Sequence, residues 1–242
     1  MVTGASSGIG RACALYTADA GAAVILSGRD KSRLGHTLAQ MKGDGHLIVP
    51  GDITCMENLA PMVEEAVSNC GKIYGFVHAA GIQKPAPLSV MNRGSYEEIF
   101  SINVIAGFEL ARIIAGKKFS EPDDARFIFI SSVMGIAGQR GLVGYCASKG
   151  AVIAGVKAMA LELARKHIRV NAVLGGQVQG TGMSDAMFSR LSDATIQHIA
   201  DMHPLGLGTP GDIADAVQFL LSPGAQWITG AAFPVDGGYT AV

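Results

Sequence analysis

A chain of 242 residues, 49% hydrophobic and 16% charged with mean hydropathy +0.32, is long enough to bury a sizeable core within one domain. A net charge of −1 and an isoelectric point near 6.6 offer no basic footprint for nucleic acid or for an anionic membrane. The four cysteines form neither a C-x-x-C pair nor a metal-ligand spacing, and no run approaches a membrane span, so a soluble cytoplasmic protein without a metal site is expected.

In chain order, Thr3-Gly4-Ala5-Ser6-Ser7-Gly8-Ile9-Gly10 is a glycine-rich turn that opens a helix predicted over 9–20. Glycines there let the backbone approach a pyrophosphate, whose charge then rests on the helix N-terminus. A strand over 22–27 closes a βαβ unit, followed by Gly28, Arg29 and Asp30, the last suited to cap a helix over 30–42. The pattern continues with strands near 46–49, 73–79, 126–131, 168–174 and 231–235. Helices are predicted near 57–71, 95–118, 145–166 and 211–222. Such alternation specifies an α/β fold with a parallel sheet, right-handed crossovers and helices on both faces, in a single domain over 1–242. The stretch after Gly176, about 177–210, is less regular and carries Met183, Met187 and Met202. It reads as a mobile apolar cover over a pocket, or else as a helical pair packed permanently on the surface.

The most informative stretch is Tyr145-Cys146-Ala147-Ser148-Lys149. On a helix, positions i and i+4 share a face, so a phenol and an ammonium lie one turn apart. A tyrosine of pKa near ~10 needs a shift of roughly 3 units, or about 4 kcal/mol, to act as a proton shuttle at neutral pH. A cation about 4 Å away at an effective dielectric near 20 supplies about that much. Cys146, one residue on, points about 100° away and reads as packing.

Five motifs keep this pair company: Thr3-Gly4-x-x-x-Gly8-Ile9-Gly10; Asp52 in Gly51-Asp52-Ile53-Thr54; Ala79-Ala80-Gly81; Asn103 in Ser101-Ile102-Asn103-Val104; and Ser132, thirteen residues before Tyr145. In this order and spacing the chain resembles a short-chain dehydrogenase/reductase of the single-domain kind that includes the 3-oxoacyl-carrier-protein reductases. The resemblance implies a Rossmann-type doubly wound sheet and hydride transfer between a nicotinamide and a carbonyl or secondary alcohol. In that chemistry Tyr145 donates or accepts the proton, Ser132 holds the substrate oxygen, and Lys149 lowers the Tyr145 pKa and bonds the nicotinamide ribose. Asn103 would order a water that leads protons away. For the dinucleotide the resemblance implies Gly4, Ser6, Ser7, Gly8, Ile9, Gly10, Arg29, Asp52, Ile53, Ala79, Ala80, Gly81, Tyr145, Lys149, Gly176, Val178 and Thr181.

Three departures stand out. Where the family often has Asn-Asn-Ala-Gly, this chain has His78-Ala79-Ala80-Gly81, and His78 reads as structural. Pro-Gly is replaced by Gly175-Gly176, and the usual carboxamide threonine falls on Gly180, with Thr181 one place later. The place of the acid that accepts from an NAD ribose is held by Gly28, with Arg29 next, so NADP(H) is preferred and NAD(H) remains possible. Apolar residues on the helices near 95–118 and 145–166, with the tail at 231–238, suggest a homotetramer or otherwise a homodimer. The competing readings are a dinucleotide-binding sensor or scaffold without turnover, and a sugar-nucleotide epimerase, which would need G-x-x-G-x-x-G. Only three residues precede Gly4, so a central first strand lacking part of its length is also expected, with a cost in stability.

Overall fold

Alternating side chains on the central strands feed two separate cores, one on each face of the sheet. The computed structural model describes residues 1–122 and 124–241. The strands are β1 (Val2–Thr3), β2 (Ile25–Gly28), β3 (Leu47–Pro50), β4 (Gly75–His78), β5 (Arg126–Ser132), β6 (Arg169–Gly175) and β7 (Ala232–Val235), all paired in parallel in the order β3-β2-β1-β4-β5-β6-β7. Short as it is, β1 takes the central place, with Val2 paired to Leu26 on one side and Val77 on the other.

Between the strands run α1 (Gly8–Asp19), α2 (Lys31–Leu38), α3 (Met56–Cys70), α4 (Arg93–Phe100), α5 (Ala106–Ile114), α6 (Val143–Leu163), α7 (Gly182–Phe188), α8 (Asp193–Asp201) and α9 (Pro210–Leu221). On one face Phe127 and Phe129 join Phe76 and the apolar sides of α3, α5 and α6. On the other, Ile128 and Ile130 join Val2, Leu26 and Val77 beneath α1 and α9. The period of two in β5 therefore divides one strand between two cores. Phe76 meets Phe127 and Phe129 edge to face, with centroids 5.7 and 6.0 Å apart.

One element differs from its predicted form, and another takes the second of its two predicted forms. The helix expected over 95–118 is interrupted by a π-helical turn at Ser101–Ile105 between α4 and α5. The irregular stretch after Gly176 holds the helical pair α7 and α8, each capped by a hydroxyl at its N-terminus: Thr181 for α7 and Ser192 for α8. The apolar helix faces also need correction. Ile113, Val152, Ile153 and Val156 are buried within the chain itself, whereas Leu161 (81% exposed) and Ile105 (50%) on these helices, and Trp227 (97%) before β7, are among those left to solvent. Among the described residues no helix is long and apolar enough to cross a membrane.

Candidate active site

Sheet order reverses at β1: the chain moves outward through β2 and β3, then returns to place β4 on the opposite side. A crevice opens at such a switch point, beyond the C-terminal ends of the strands. The glycine turn fills its floor with main chain alone. Gly4 and Gly8 have φ of +68° and +51°, and a Cβ on Gly10 would lie 2.2 Å from the Gly4 carbonyl oxygen. A Cβ on Gly4 would meet the Ala80 backbone at 2.9 Å. No side chain fits between these segments, so the open backbone N–H groups at the start of α1 stay accessible. The Ser7 side chain makes no capping bond to them. The turn is held from behind: Arg11 Nη2 donates to the Ser6 carbonyl (2.6 Å), and the Thr37 hydroxyl donates to the Ala5 carbonyl (2.9 Å). This donor set fits the pyrophosphate of a dinucleotide.

A cavity of about 520 Å³ extends from this turn past the end of β5 to the helical pair. Every residue named above for cofactor or chemistry lines it, except Asn103. Tyr145 and Lys149 lie one turn apart on α6, the phenol half-buried and the ammonium buried. The ammonium does not dominate the phenol. Lys149 Nζ donates to the Ile130 carbonyl at 2.8 Å and stands 5.6 Å from the Tyr145 ring centroid. Burial pushes the Tyr145 phenol up to about 12, with the Ser132 hydroxyl beside it pulling the other way. Burial likewise brings Lys149 down to about 8. The expected depression of the phenol toward neutrality is therefore corrected: in the free protein desolvation outweighs the cation. The two serines ending β5 diverge, as adjacent strand residues must. Ser131 Oγ donates to the Lys149 carbonyl (3.0 Å), while Ser132 Oγ accepts from the Met134 N–H (3.1 Å) on the cavity side.

Asn103 is buried in the π turn, and its amide makes three hydrogen bonds. It accepts from the Ile82 N–H (2.8 Å) and donates to the Ile82 carbonyl (3.0 Å) and to Ser148 Oγ (3.0 Å). Ser148 Oγ in turn donates to the Tyr145 carbonyl (2.8 Å). The side chain thus ties the segment after β4 to the helix that carries the phenol.

Residues 4–240 match the sequence profile of the family described as enoyl-(acyl carrier protein) reductase. The chain is 34% identical over its whole length, and 96% of the relative's, to 2-(S)-hydroxypropyl-CoM dehydrogenase 3 of Xanthobacter autotrophicus. It is 31% identical to the 3-oxoacyl-(acyl-carrier-protein) reductase FabG of Thermotoga maritima, covering 98% of this chain and 96% of that protein. Its fold superposes on a crystal structure of actinorhodin polyketide ketoreductase with NADPH at TM-score 0.92, with 26% identity, covering 100% and 96% of the two chains. The chain belongs to the short-chain dehydrogenase/reductase family. It is accordingly an NAD(P)-dependent oxidoreductase.

Against that family, the departures acquire a physical account. His78 is buried and makes a directed chain of hydrogen bonds. Ala80 N–H points at Thr3 Oγ1 (3.3 Å), and Thr3 Oγ1 lies 3.0 Å from His78 Nδ1. His78 Nε2 lies 3.1 Å from the Ile102 carbonyl, which can only accept. Nε2 therefore carries the proton and Nδ1 accepts from the threonine. Gly107 makes room for the ring, since a Cβ there would sit 2.6 Å from His78 Cδ2. One imidazole thus links β1, the segment after β4 and the π turn.

Past β6, Gln177 O accepts from the Gly208 N–H (3.0 Å) and Gln179 N–H donates to the Gly208 carbonyl (2.9 Å). That alternation turns the Val178 N–H and carbonyl away from Gly208. Thr181 lies against the glycine turn, 3.3 Å from a Cβ built on Gly8, but its hydroxyl is occupied in capping α7 through Ser184. Asp30 caps α2 by accepting from the Arg33 N–H (3.0 Å), and both Arg29 and Arg33 line the cavity. Arg33 was not foreseen from the sequence, because Arg29 lies ahead of the Asp30 cap and helical spacing does not relate the two. Asp52 bonds to the Thr54 N–H (2.9 Å) and hydroxyl (2.8 Å), which hold its carboxyl below the usual range. Among the described residues no cluster of His, Cys, Asp or Glu could hold a metal ion.

The His78 geometry has a consequence for stability. Burial first, and Lys149 nearby second, bring its pKa down from 6.5 to about 4. Between those values the unfolded chain binds a proton that the folded chain refuses, so stability falls as pH drops from 6.5 to 4. The full effect is on the order of 3 kcal/mol. His78→Asn should flatten the slope of melting temperature against pH over that window. An unchanged slope would show that His78 does not titrate as its surroundings require.

Proposed function

We propose that the protein interconverts a carbonyl and a secondary alcohol, with Tyr145 as proton donor and acceptor. The observation that carries this reading is that Tyr145, Ser132 and Lys149 line the same cavity as the glycine turn. When bound, the nicotinamide supplies or accepts the hydride. The protein's part is to hold the reacting oxygen and to handle one proton. Ser132 Oγ and the Tyr145 hydroxyl converge on that oxygen, where two donors stabilise developing negative charge. A phenol held near 12 is fully protonated at neutral pH and is loaded as the acid for carbonyl reduction. In the opposite direction it must first lose its proton. Lys149 would bond the nicotinamide ribose of the bound dinucleotide, and the Val178 N–H and carbonyl would hold the carboxamide in place of a threonine hydroxyl. Asn103 acts as a positioning residue through Ile82 and Ser148.

Tyr145→Phe preserves shape and should reduce turnover by about 10²–10⁴-fold, the range for a positioned acid–base group. In the wild type, alcohol oxidation should accelerate from pH 6 to pH 9 while carbonyl reduction does not. Near wild-type turnover in the variant, or oxidation that slows over that range, would remove Tyr145 from the mechanism.

NADP(H) is the preferred dinucleotide and NAD(H) the weaker one. Support comes from two guanidiniums, Arg29 and Arg33, in the cavity, with Asp30 withdrawn into its capping role. The ratio of kcat/KM for the two dinucleotides should favour NADP(H), and Arg29→Ala should shrink it by roughly tenfold. A preference for NAD(H) that Arg29→Ala leaves untouched would overturn the assignment.

The subunits assemble as a homotetramer, with a homodimer as the smaller alternative. Apolar side chains left to solvent on the α6 end and before β7, Leu161 and Trp227 foremost, together with Ile105 on the π turn, support burial against further copies. Light scattering should find a species near four times 25.0 kDa, and a lone 25.0 kDa species at micromolar concentration would defeat the assembly.

A further inference from the structure

We infer that the substrate is an uncharged carbonyl compound, or its alcohol, with an elongated apolar body that leaves the reacting centre between Met202 and Tyr239. The inference rests on the function proposed above and deepens it.

Apart from Lys149, the charged side chains of the main cavity stand at one end: Arg29 and Asp52 follow β2 and β3, and Arg33 lies in α2. Around Tyr145 on the other side, the walls are Met134, Leu142, Met183, Met187 and Ile199, with Gln83 and Gln139 supplying neutral amides. Two basic side chains do reach this half. Lys149 Nζ donates to the Ile130 carbonyl, and in the function proposed above another of its protons serves the dinucleotide ribose. His203 is buried, its Nε2 accepting from the Gln177 N–H (3.0 Å) and its Nδ1 2.8 Å from the Ile199 carbonyl. A carboxylate, sulfonate or phosphate beside the reacting carbon would therefore be desolvated with no cation but Lys149 in this half, an ammonium already shared between a carbonyl and the ribose, which is unfavourable.

A second cavity of about 500 Å³ adjoins the first and shares Met202 and Tyr239 with it. Its other walls are Ile136, Ala137 and Thr240, of which Ile136 is 58% exposed. These walls carry no charge. An apolar chain attached to the carbonyl can pass between the flexible Met202 side chain and the Tyr239 ring and cover Ile136. A compact sugar would leave that path unused.

The test uses the wild-type protein with its preferred dinucleotide and three sets of ketones: unbranched 2-alkanones of increasing length, keto acids, and the methyl esters of the same acids. Specificity, kcat/KM, should rise by about fourfold per added methylene until the chain reaches Ile136. Each methyl ester should exceed its acid by roughly 100-fold. Met202→Lys should narrow that gap by raising the acid and lowering the long alkanone. A flat length series, an acid as good as its ester, or a Met202→Lys gap equal to wild type would overturn this inference while leaving the proposed reaction standing. Absence of turnover with every member and both dinucleotides would instead sink the proposed reaction, and the inference with it.

Discussion

Two strands of main chain meet in this protein with no room for a side chain between them, and the site is built outward from that meeting. Gly10 stacks on the Gly4 carbonyl, and Gly4 stacks on the backbone of Ala80. The first approach fixes where α1 begins; the second fixes the segment after β4 against it. Once these are set, Thr3, His78 and Ile102 follow as a chain of directed hydrogen bonds. The π turn is then no longer an isolated irregularity. Its Ile102 carbonyl is drawn to an imidazole, and its Asn103 amide is drawn to Ile82, so tertiary bonds replace the regular helical ones.

The same economy governs α6. Its phenol and ammonium are positioned by backbone partners at several removes: Ser131 on the Lys149 carbonyl, Lys149 on the Ile130 carbonyl, Ser148 on the Tyr145 carbonyl, Asn103 on Ser148. Each bond satisfies a group that burial would otherwise leave without a partner, at a cost of about 1–3 kcal/mol apiece. The Lys149 bond has an electrostatic consequence, because an ammonium committed to a carbonyl is a weaker influence on a neighbouring phenol than one free to approach it.

Much of the fold was legible in the sequence because its causes are local. Apolar strands alternating with helical stretches specify a parallel sheet, and the residues of β5 and β6 are buried on both faces as that sheet requires. The glycine spacing was equally legible, since only glycine can stand at Gly4, Gly8 and Gly10 once the segments are so close. The π turn was not, because nothing within 95–118 announces it; its causes sit at Ile82, His78 and Ser148. The direction of the Lys149 side chain was missed for a similar reason. Helical spacing placed the ammonium beside the phenol but was silent about the Ile130 carbonyl, which β5 brings within 2.8 Å. In the segment after Gly176, apolar methionines suggested a cover, and local hydroxyl caps at Thr181 and Ser192 turned that cover into two short helices.

The parallel sheet finally explains how one cavity can be charged at one end and apolar at the other. All strands end on the same side, so whatever follows each strand contributes to a single crevice. After β1, β2 and β3 come the N-terminus of α1, the guanidinium of Arg29 and the carboxyl of Asp52, with Arg33 one turn into α2. After β6 comes the methionine-bearing helical pair. Strand order keeps these groups apart: β3, β2 and β1 lie on one side of the switch point, β5 and β6 on the other. The phenol of Tyr145 stands where the two halves meet, close enough to the apolar half for burial to raise its pKa and close enough to the β4 loop for Asn103 to hold its helix. A charged environment and a largely apolar one thus stand side by side in a single crevice, because the order of the strands keeps the residues that make them apart.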